Sequence, residues 1–128
     1  MPKKKPKILM IEDNQYLLKL YRNKLTSVGF EFIEATNGVE GLNKVISLKP
    51  DIVLLDLILP RKNGFDVLIE MRRNAETKDI PVIILSILGQ EADVKRGLSL
   101  GAQDYLVKAE TSFSEVISKV KEWLVKKP

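Results

Sequence analysis

The chain has 128 residues, of which 45% are hydrophobic and 30% are charged, a composition typical of one soluble globular domain. The absence of Cys and His excludes disulfides, zinc–thiolate sites and the side chain that most often serves as general base or metal ligand. No apolar run approaches membrane-spanning length, and Glu12 and Asp13 interrupt the short apolar stretch behind the basic N-terminus. We therefore predict a cytoplasmic protein with no secretion signal and no membrane partner.

The net charge of +4 originates at one end of the chain. Lys3, Lys4, Lys5 and Lys7 supply four positive charges, which equals the whole excess of 21 basic over 17 acidic residues. The rest of the chain is near neutral. We predict that residues 1–6 form a disordered basic tail, which attracts nucleic acid or anionic lipid only weakly, and that a single domain covers residues 7–127.

The first half of the chain predicts three strands and two helices. Asn14 and Asn37 are residues that cap helix N-termini, and Gly29 is the residue expected just past a helix end. The run at 52–55 is wholly apolar and rich in β-branched residues, as in a strand buried on both faces. The strands are predicted at residues 8–11, 30–35 and 52–55, and the helices at 14–27 and from 38 to just before Pro50. Helical spacing gives each helix one apolar face, formed by Leu17, Leu20, Tyr21, Leu25 and Val28 in the first and by Val39, Leu42, Val45 and Ile46 in the second.

The second half of the chain predicts two strands and three helices. Gly97 interrupts the fourth helical pattern, and Gly101 is placed to end it. Ser112 and Glu115, three residues apart, form the capping-box signature that begins the last helix. The strands are predicted at residues 82–85 and 105–107, and the helices at 65–74, 91–100 and from 112 onward. The side chains expected to face inward are Leu68 and Met71 in the third helix and Phe113, Val116, Ile117, Val120 and Leu124 in the last.

Five strands alternating with five helices indicate an α/β fold with a doubly wound parallel sheet. The strands end in polar residues, Glu12 and Asp13, Asp56, Ser86 and Lys108, which a parallel sheet collects at one edge. Carboxylates so close together repel one another unless a cation joins them, and Mg²⁺ takes oxygen ligands from carboxylates and phosphates. The ammonium and the hydroxyl suit further phosphate oxygens. We therefore predict phosphoryl transfer at this edge, with a carboxylate nucleophile that forms an acyl phosphate.

From residue 7 to residue 127 the chain resembles the receiver domain of two-component response regulators. The matching segments are Ile11-Glu12-Asp13, Leu55-Asp56-Leu57-Ile58-Leu59-Pro60 with Gly64, Ile84-Leu85-Ser86, and the segment from Gly101 to Lys108. The resemblance implies a flavodoxin-like, three-layer α/β/α fold with a five-stranded parallel sheet of order 2-1-3-4-5 and five helices.

The resemblance also implies a role for each site residue. Asp56 is the expected acceptor of a phosphoryl group from a histidine kinase or a histidine phosphotransfer protein. Glu12, Asp13, Asp56 and the backbone carbonyl of Ile58 are the expected Mg²⁺ ligands. Ser86 and Lys108 are expected to hold the phosphoryl oxygens, and Tyr105 is expected to turn inward when Ser86 moves.

Such a protein is a signalling switch and not a turnover enzyme, since it catalyses only its own phosphorylation and dephosphorylation. Its expected contact with a downstream protein target is the face made by helix 4, strand 5 and helix 5. No helix remains for a DNA-reading motif once the five are assigned, so we expect no fused DNA-binding domain.

A few positions depart from the family pattern. Ala109 stands where the family has a Pro joined by a cis bond, and a cis bond before a non-proline residue costs about 3 kcal/mol. Either the loop holds that strain or Lys108 approaches from a trans loop. Ile87 replaces a small residue, and Leu59 replaces a frequent Met. The two positions that gate water, Ile58 and Leu88, carry side chains that cannot hydrogen-bond a water, so we expect a long-lived phosphoryl group.

Three alternative hypotheses remain open from the sequence. The chain could be a phosphorylation-independent binding module of the same fold, with a vestigial acidic edge. It could be a flavin-binding or other small α/β enzyme, although no glycine-rich phosphate loop follows the first strand. It could also bind nucleic acid, a hypothesis that rests on the lysine tail alone.

Overall fold

In the computed structural model, which describes residues 4–126, strands and helices alternate as the apolar pattern predicts. The strands are β1 (Lys7–Ile11), β2 (Glu31–Ala35), β3 (Ile52–Leu55), β4 (Val82–Ser86) and β5 (Asp104–Val107). The α-helices are α1 (Gln15–Ser27), α2 (Gly38–Leu48), α3 (Gly64–Arg73), α4 (Glu91–Ser99) and α5 (Phe113–Val125). A 3-10 turn at Lys108–Glu110 lies between β5 and α5.

The strands form one parallel sheet in the order β2-β1-β3-β4-β5, so the predicted sheet order is confirmed. Parallel neighbours need a crossover connection, and the helices supply it. Because the strands run in one direction, one edge of the sheet carries the strand starts and the helix ends. We call this edge, at Lys7, Glu31, Ile52, Val82 and Asp104, the amino edge. The opposite edge, at Ile11, Ala35, Leu55, Ser86 and Val107, is the carboxyl edge.

Side-chain caps fix where four of the helices begin. The Oδ1 atoms of Asn14, Asn37 and Asn63 accept hydrogen bonds from backbone N–H groups three residues further on, at 3.1, 2.8 and 3.0 Å. Ser112 and Glu115 form the predicted capping box, with each side chain accepting from the other's backbone N–H at 3.2 and 3.1 Å. Each cap satisfies a donor that the first helical turn leaves without a partner, so these local sequences specify the helix starts.

Helices cover both faces of the sheet, and this is why the strands are continuously apolar. Successive side chains of a strand point to opposite faces. In β1, Leu9 and Ile11 pack on the side of α2, α3 and α4, whereas Ile8 and Met10 pack on the side of α1 and α5. These four side chains are at most 2% exposed. The arrangement is the predicted three-layer α/β/α fold.

The buried faces of α1 and α2 differ in detail from the prediction. Leu18 is fully buried in α1, whereas Leu17 is only partly buried. Val28 lies beyond the end of α1 and is 39% exposed, as is Ile46 in α2. The predicted apolar stripe on each helix was therefore broader than the strip of side chains that reaches the sheet.

Gly97 does not interrupt α4, contrary to the prediction. It is the buried residue of that helix, and α4 runs on to Ser99. A Cβ atom at Gly97 would lie 2.7 Å from Cδ1 of Ile84 and 2.9 Å from Cδ2 of Tyr105. Glycine at this position therefore allows the close approach of α4 to β4 and β5.

Part of the predicted basic tail, residues 1–3, lies outside the described residues, as does Lys127 at the predicted end of the domain. At residue 6, the carbonyl of Pro6 accepts a hydrogen bond from the Glu31 N–H at 2.9 Å. Between residues 4 and 126 the longest helices, α1 and α5, have 13 residues each, and no helix has the length and apolarity to cross a bilayer, which takes about 20 residues.

Candidate functional site

The carboxyl edge gathers the polar residues that the sequence singled out. Glu12 and Asp13 follow β1, Asp56 follows β3, Ser86 ends β4 and Lys108 follows β5. The strands β1, β3, β4 and β5 are neighbours in the sheet, in that order. The sheet order therefore brings side chains from four separate parts of the chain to one place.

Three carboxylates form the centre of this site. One oxygen from each of Glu12, Asp13 and Asp56 lies within 4.8 Å of the others. Glu12 is 1% exposed and Asp56 is 6% exposed, whereas Asp13 is open to solvent. Oxygen ligands at such spacing can hold a hard divalent cation, with water completing the coordination on the open side.

Lys108 connects the two buried carboxylates. Its Nζ lies 2.6 Å from Glu12 Oε1 and 3.2 Å from Asp56 Oδ2. Burial alone would lower the pKa of Lys108, but the hydrogen bond to Glu12 and the charge of Asp56 outweigh it, so the pKa is raised. Lys108 therefore remains an ammonium and neutralises part of the charge of the acidic group.

Burial raises the pKa of the Glu12 carboxyl above its usual range, and hydrogen bonds from Lys108 and the Asn14 N–H offset only part of that rise. The charge of Asp56 adds to it. Burial, and after it the charge of Glu12, raises the pKa of Tyr21 to about 12. Further negative charge is therefore costly beside Glu12, and the repulsion between Glu12 and Asp56 is the part of this cost that a cation can offset.

Asp56 is held by the loop that follows it. Its Oδ1 accepts hydrogen bonds from the N–H groups of Leu57 at 2.7 Å and Ile58 at 3.3 Å, and its Oδ2 faces Lys108. Gly64 closes the loop, since its N–H donates to the Leu57 carbonyl at 2.9 Å and a Cβ there would lie 2.2 Å from the Asp56 carbonyl oxygen. The carboxylate is thus positioned before any ligand arrives.

Ser86 and Tyr105 meet at the loop between β4 and α4. Ser86 is fully buried, and its Oγ accepts a hydrogen bond from the Leu88 N–H at 3.3 Å. The Tyr105 hydroxyl donates to the Leu88 carbonyl at 2.5 Å, and its ring is 9% exposed. Burial, followed by the charges of Asp93 and Asp56, raises the pKa of Tyr105 to about 12. Leu88, in the loop after β4, is therefore hydrogen-bonded to both residues that were predicted to act as a switch, Ser86 and Tyr105.

Lys108 reaches the site from a trans loop. No peptide bond between residues 4 and 126 is cis, so Ala109 is accommodated without the cis bond that the family pattern suggested. The segment forms a 3-10 turn, and the Thr111 hydroxyl donates to the Val107 carbonyl at 2.8 Å. This turn directs the Lys108 ammonium toward Asp56 without the cis peptide bond.

The apolar residues around the mouth of the site take two different positions. Ile58 is 48% exposed and Ile87 is 65% exposed, so both side chains are at the surface. Leu88 is only partly buried and packs against the core. The Leu88 side chain is therefore more enclosed than those of Ile58 and Ile87.

Sequence reasoning missed one group beside the site. The rings of Tyr21 and Phe113 stack with centroids 4.3 Å apart. Together they line a cavity of about 210 Å³ whose other walls are Leu17, Leu85, Lys108 and Thr111. Both aromatics were predicted as core residues, and only the packing of α1 against the start of α5 places them next to Lys108.

Comparisons with known proteins agree with this geometry. Residues 8–121 match the family model described as "Response regulator receiver domain". The "DNA-binding dual master transcriptional regulator RpaA" of Synechocystis is 40% identical over 103 residues, which are 80% of this chain and 43% of that protein. The "Phosphate regulon transcriptional regulatory protein PhoB" of Rhizobium meliloti is 36% identical over 119 residues, 93% of this chain and 52% of that protein. The chain thus spans about half the length of these curated relatives, or less.

Solved structures are similar over nearly the whole chain. The receiver domain of Francisella response regulator 1452 has a TM-score of 0.89 and 28% identity, covering 96% of this chain and 99% of that one. The Mn²⁺-bound form of response regulator Rcp1 has a TM-score of 0.79 and 28% identity, covering 93% of this chain and 94% of that one.

Proposed function

Because the chain belongs to the response regulator receiver domain family, we propose that it is a phospho-accepting switch whose acceptor is Asp56. The donor is the phosphorylated histidine of a histidine kinase or of a histidine phosphotransfer protein. The chemistry is confined to the protein's own phosphorylation and dephosphorylation, so the protein is not a turnover enzyme. The observation that carries the proposal is the contact of a buried, preorganised Asp56 with Lys108, beside two further carboxylates.

The transfer forms one bond and breaks one. A carboxylate oxygen of Asp56 attacks the phosphorus, the bond between phosphorus and the donor's imidazole nitrogen breaks, and the nitrogen keeps the electron pair. The N–H groups of Leu57 and Ile58 hold Oδ1, so Oδ2, which lies 3.2 Å from Lys108 Nζ, is the oxygen that attacks. Lys108 and the Ser86 hydroxyl bind the phosphoryl oxygens, because they are the donors at this edge.

Glu12, Asp13 and Asp56, with the backbone carbonyl of Ile58, are the residues that would hold Mg²⁺. The oxygen-only donor set and the charge of three carboxylates fit a hard cation. When bound, Mg²⁺ would neutralise charge that develops on the transferring group. Rcp1, one of the similar structures, is described as a Mn²⁺-bound form, which supports a divalent cation here.

The acceptor is tested with a small phosphodonor. Incubation with acetyl phosphate and Mg²⁺ is expected to add one phosphoryl group by intact mass, and Asp56→Asn is expected to prevent it. Asp66→Asn, which alters an exposed Asp in the first turn of α3, serves as the control and is expected to be phosphorylated normally. Phosphorylation that persists in Asp56→Asn contradicts the assignment. A wild type that takes no phosphoryl group favours the phosphorylation-independent binding module instead.

The lifetime of the phosphoryl group is tested separately. Hydrolysis needs a water in line with the leaving carboxylate, and neither Ile58 nor Leu88 can hydrogen-bond it. We expect slow dephosphorylation in wild type and faster phosphate release in Ile58→Asn and Leu88→Glu, measured in a single turnover. If neither polar substitution speeds release, these two side chains do not shield the site from water.

Output is proposed to pass through the face made by α4, β5 and α5. On this face Asp104 Oδ2 accepts a hydrogen bond from Trp123 Nε1 at 3.2 Å and lies 3.5 Å from Lys119 Nζ. Tyr105 lies next to Asp104 in β5 and contacts the loop after Ser86, so movement of that loop reaches this face. Acetyl phosphate is expected to change Trp123 fluorescence in wild type and to leave it unchanged in Asp56→Asn. An unchanged signal in both, with phosphorylation confirmed by mass, contradicts the proposed route.

A further inference from the structure

The lysine-rich segment lies at the amino edge, on the opposite side of the sheet from Asp56. Lys7 begins β1 and Lys49 follows α2, and both elements reach the amino edge at these residues. The segment borders a surface depression of about 460 Å³, which is lined by Lys4, Lys5, Pro6, Lys7, Lys49, Asp51 and Leu124.

The positive charge of this depression is only partly neutralised. Asp51 accepts a hydrogen bond from the Lys7 backbone N–H at 2.7 Å, and Lys49 Nζ lies 3.6 Å from Glu76. The salt bridges among residues 4–126 include none of the ammonium groups of Lys4, Lys5 and Lys7. Lys4 and Lys5 are exposed and precede the first strand.

Exposed apolar side chains lie at the same edge of the sheet as these lysines. Leu48 directly precedes Lys49 and is 41% exposed, and Val125 directly follows Leu124 and is 86% exposed. Val28, at the end of α1, is 39% exposed. All of these are at helix C-termini, which the parallel architecture brings to the amino edge. Single exposed apolar residues are ordinary, but aliphatic residues on the same edge as several exposed lysines form a mixed basic and apolar surface.

We propose that the amino edge binds the anionic headgroups of a lipid bilayer surface, with the carboxyl edge facing the water. Lysines attract a diffuse anionic surface, and neighbouring aliphatic side chains can enter the boundary between headgroups and acyl chains. Lysines also neutralise the phosphates of nucleic acid, but a phosphate backbone offers nothing apolar for the exposed Leu48 and Val125 to enter, and no aromatic stacking platform lines the depression. The surface therefore fits lipid better than nucleic acid.

The sole Trp of the chain is a built-in reporter for this proposal. Trp123 lies directly before Leu124, and its Nε1 donates to Asp104 at the start of β5. Vesicles of phosphatidylcholine with phosphatidylglycerol are expected to change Trp123 fluorescence, and pure phosphatidylcholine is not. Sedimentation with the vesicles gives the partition coefficient, which is expected to fall as salt is added.

The decisive comparison is between two triple variants of equal charge. Lys4→Gln/Lys5→Gln/Lys7→Gln is expected to lower the partition coefficient on the order of a hundredfold, since each lysine near an anionic surface contributes about 1 kcal/mol. The matched control, which removes three exposed basic residues away from the amino edge, is Lys19→Gln/Arg61→Gln/Lys95→Gln, and we expect less than a tenfold loss. Lys4→Gln/Lys5→Gln leaves β1 intact and is expected to lose about thirtyfold.

The apolar contribution is measured with single variants at opposite edges. Leu48→Ser is expected to weaken vesicle binding about threefold, while Tyr16→Ser, which is 71% exposed near the carboxyl edge, is expected to leave it unchanged. Equal binding to neutral and anionic vesicles, equal losses in the two triple variants, or tighter binding to duplex DNA than to anionic vesicles each overturns the proposal. These readouts do not depend on phosphorylation of Asp56.

Discussion

Replacing Lys108 with Met tests the charge balance of the site most directly. Lys108 is the cation that contacts both buried carboxylates, with 2.6 Å from Nζ to Glu12 Oε1 and 3.2 Å to Asp56 Oδ2. Among residues 4–126 no other salt bridge reaches Glu12 or Asp56. Met keeps most of the side-chain length and removes the charge. The variant therefore leaves three carboxylates within 4.8 Å of one another without a cation.

The expected loss of stability follows from these distances. At an effective dielectric constant of about 20, the attractions across 2.6 and 3.2 Å are about 6 and about 5 kcal/mol. The cost of removing the three groups from water offsets much of this, and breaking a buried ion pair typically costs about 3–5 kcal/mol. Because the Lys108 side chain is 19% exposed, we expect the lower end, about 3 kcal/mol, with a fall in Tm on the order of 10 °C.

Urea unfolding in EDTA measures this loss, and a second titration in Mg²⁺ tests its cause. Mg²⁺ is expected to restore most of the lost stability, because the metal replaces the missing positive charge. Lys119→Met is the control, since Lys119 also lies near two carboxylates, Glu122 at 3.3 Å and Asp104 at 3.5 Å, but on the surface, where ion pairs contribute little. If Lys108→Met unfolds at the wild-type urea concentration in EDTA, repulsion among the carboxylates is not the dominant energy in this site.

Three further predictions concern the rest of the fold. Gly97→Ala is expected to lower the free energy of unfolding by about 1–2 kcal/mol, because overpacking outweighs the gain in helix propensity, whereas Ser99→Ala on the exposed side of α4 is expected to have little effect. Arg72→Ala is expected to cost about 2–4 kcal/mol in urea unfolding and Arg73→Ala much less, since Arg72 donates to three backbone carbonyls. Since burial raises the pKa of Tyr21 from 10.0 to about 12, the unfolded phenol ionises first as the pH rises, so stability is expected to fall between pH 10 and pH 12, and to fall less in Tyr21→Phe.

The sequence by itself determined the order of elements and the starts of three helices. Continuous apolar strands such as 52–55 specify burial on both faces, and the caps at Asn14, Asn37 and Ser112 act through hydrogen bonds within three residues. Such local interactions can be recognised without knowing the fold. The site residues were predictable for a related reason, since polar residues that directly follow buried parallel strands must meet at one edge.

Only the tertiary structure decided which residues touch across the chain. In the sequence, Gly97 is predicted to break a helix, but in the structure it is the point where α4 approaches the sheet. The missing Cβ matters because Ile84 and Tyr105 lie opposite it, and only the tertiary structure brings them there. Arg72 forms hydrogen bonds that join three separate segments of the chain, since it donates to Gly101, Lys78, Ile80 and Gln103. No local sequence pattern predicts this network.

In the loop after β5, too, the sequence determined one part of the site and the tertiary structure another. The sequence placed Lys108 at the end of a strand but left open whether a cis bond was needed to aim it. In the structure, Lys108 reaches Glu12 and Asp56 from a 3-10 turn whose peptide bonds are trans. The direction of a long side chain depends on the path of the whole loop and on the carboxylates that attract it, and neither can be read from the sequence. Spacing along the chain fixes which residues arrive at an edge, whereas packing and electrostatics fix how they are oriented when they meet.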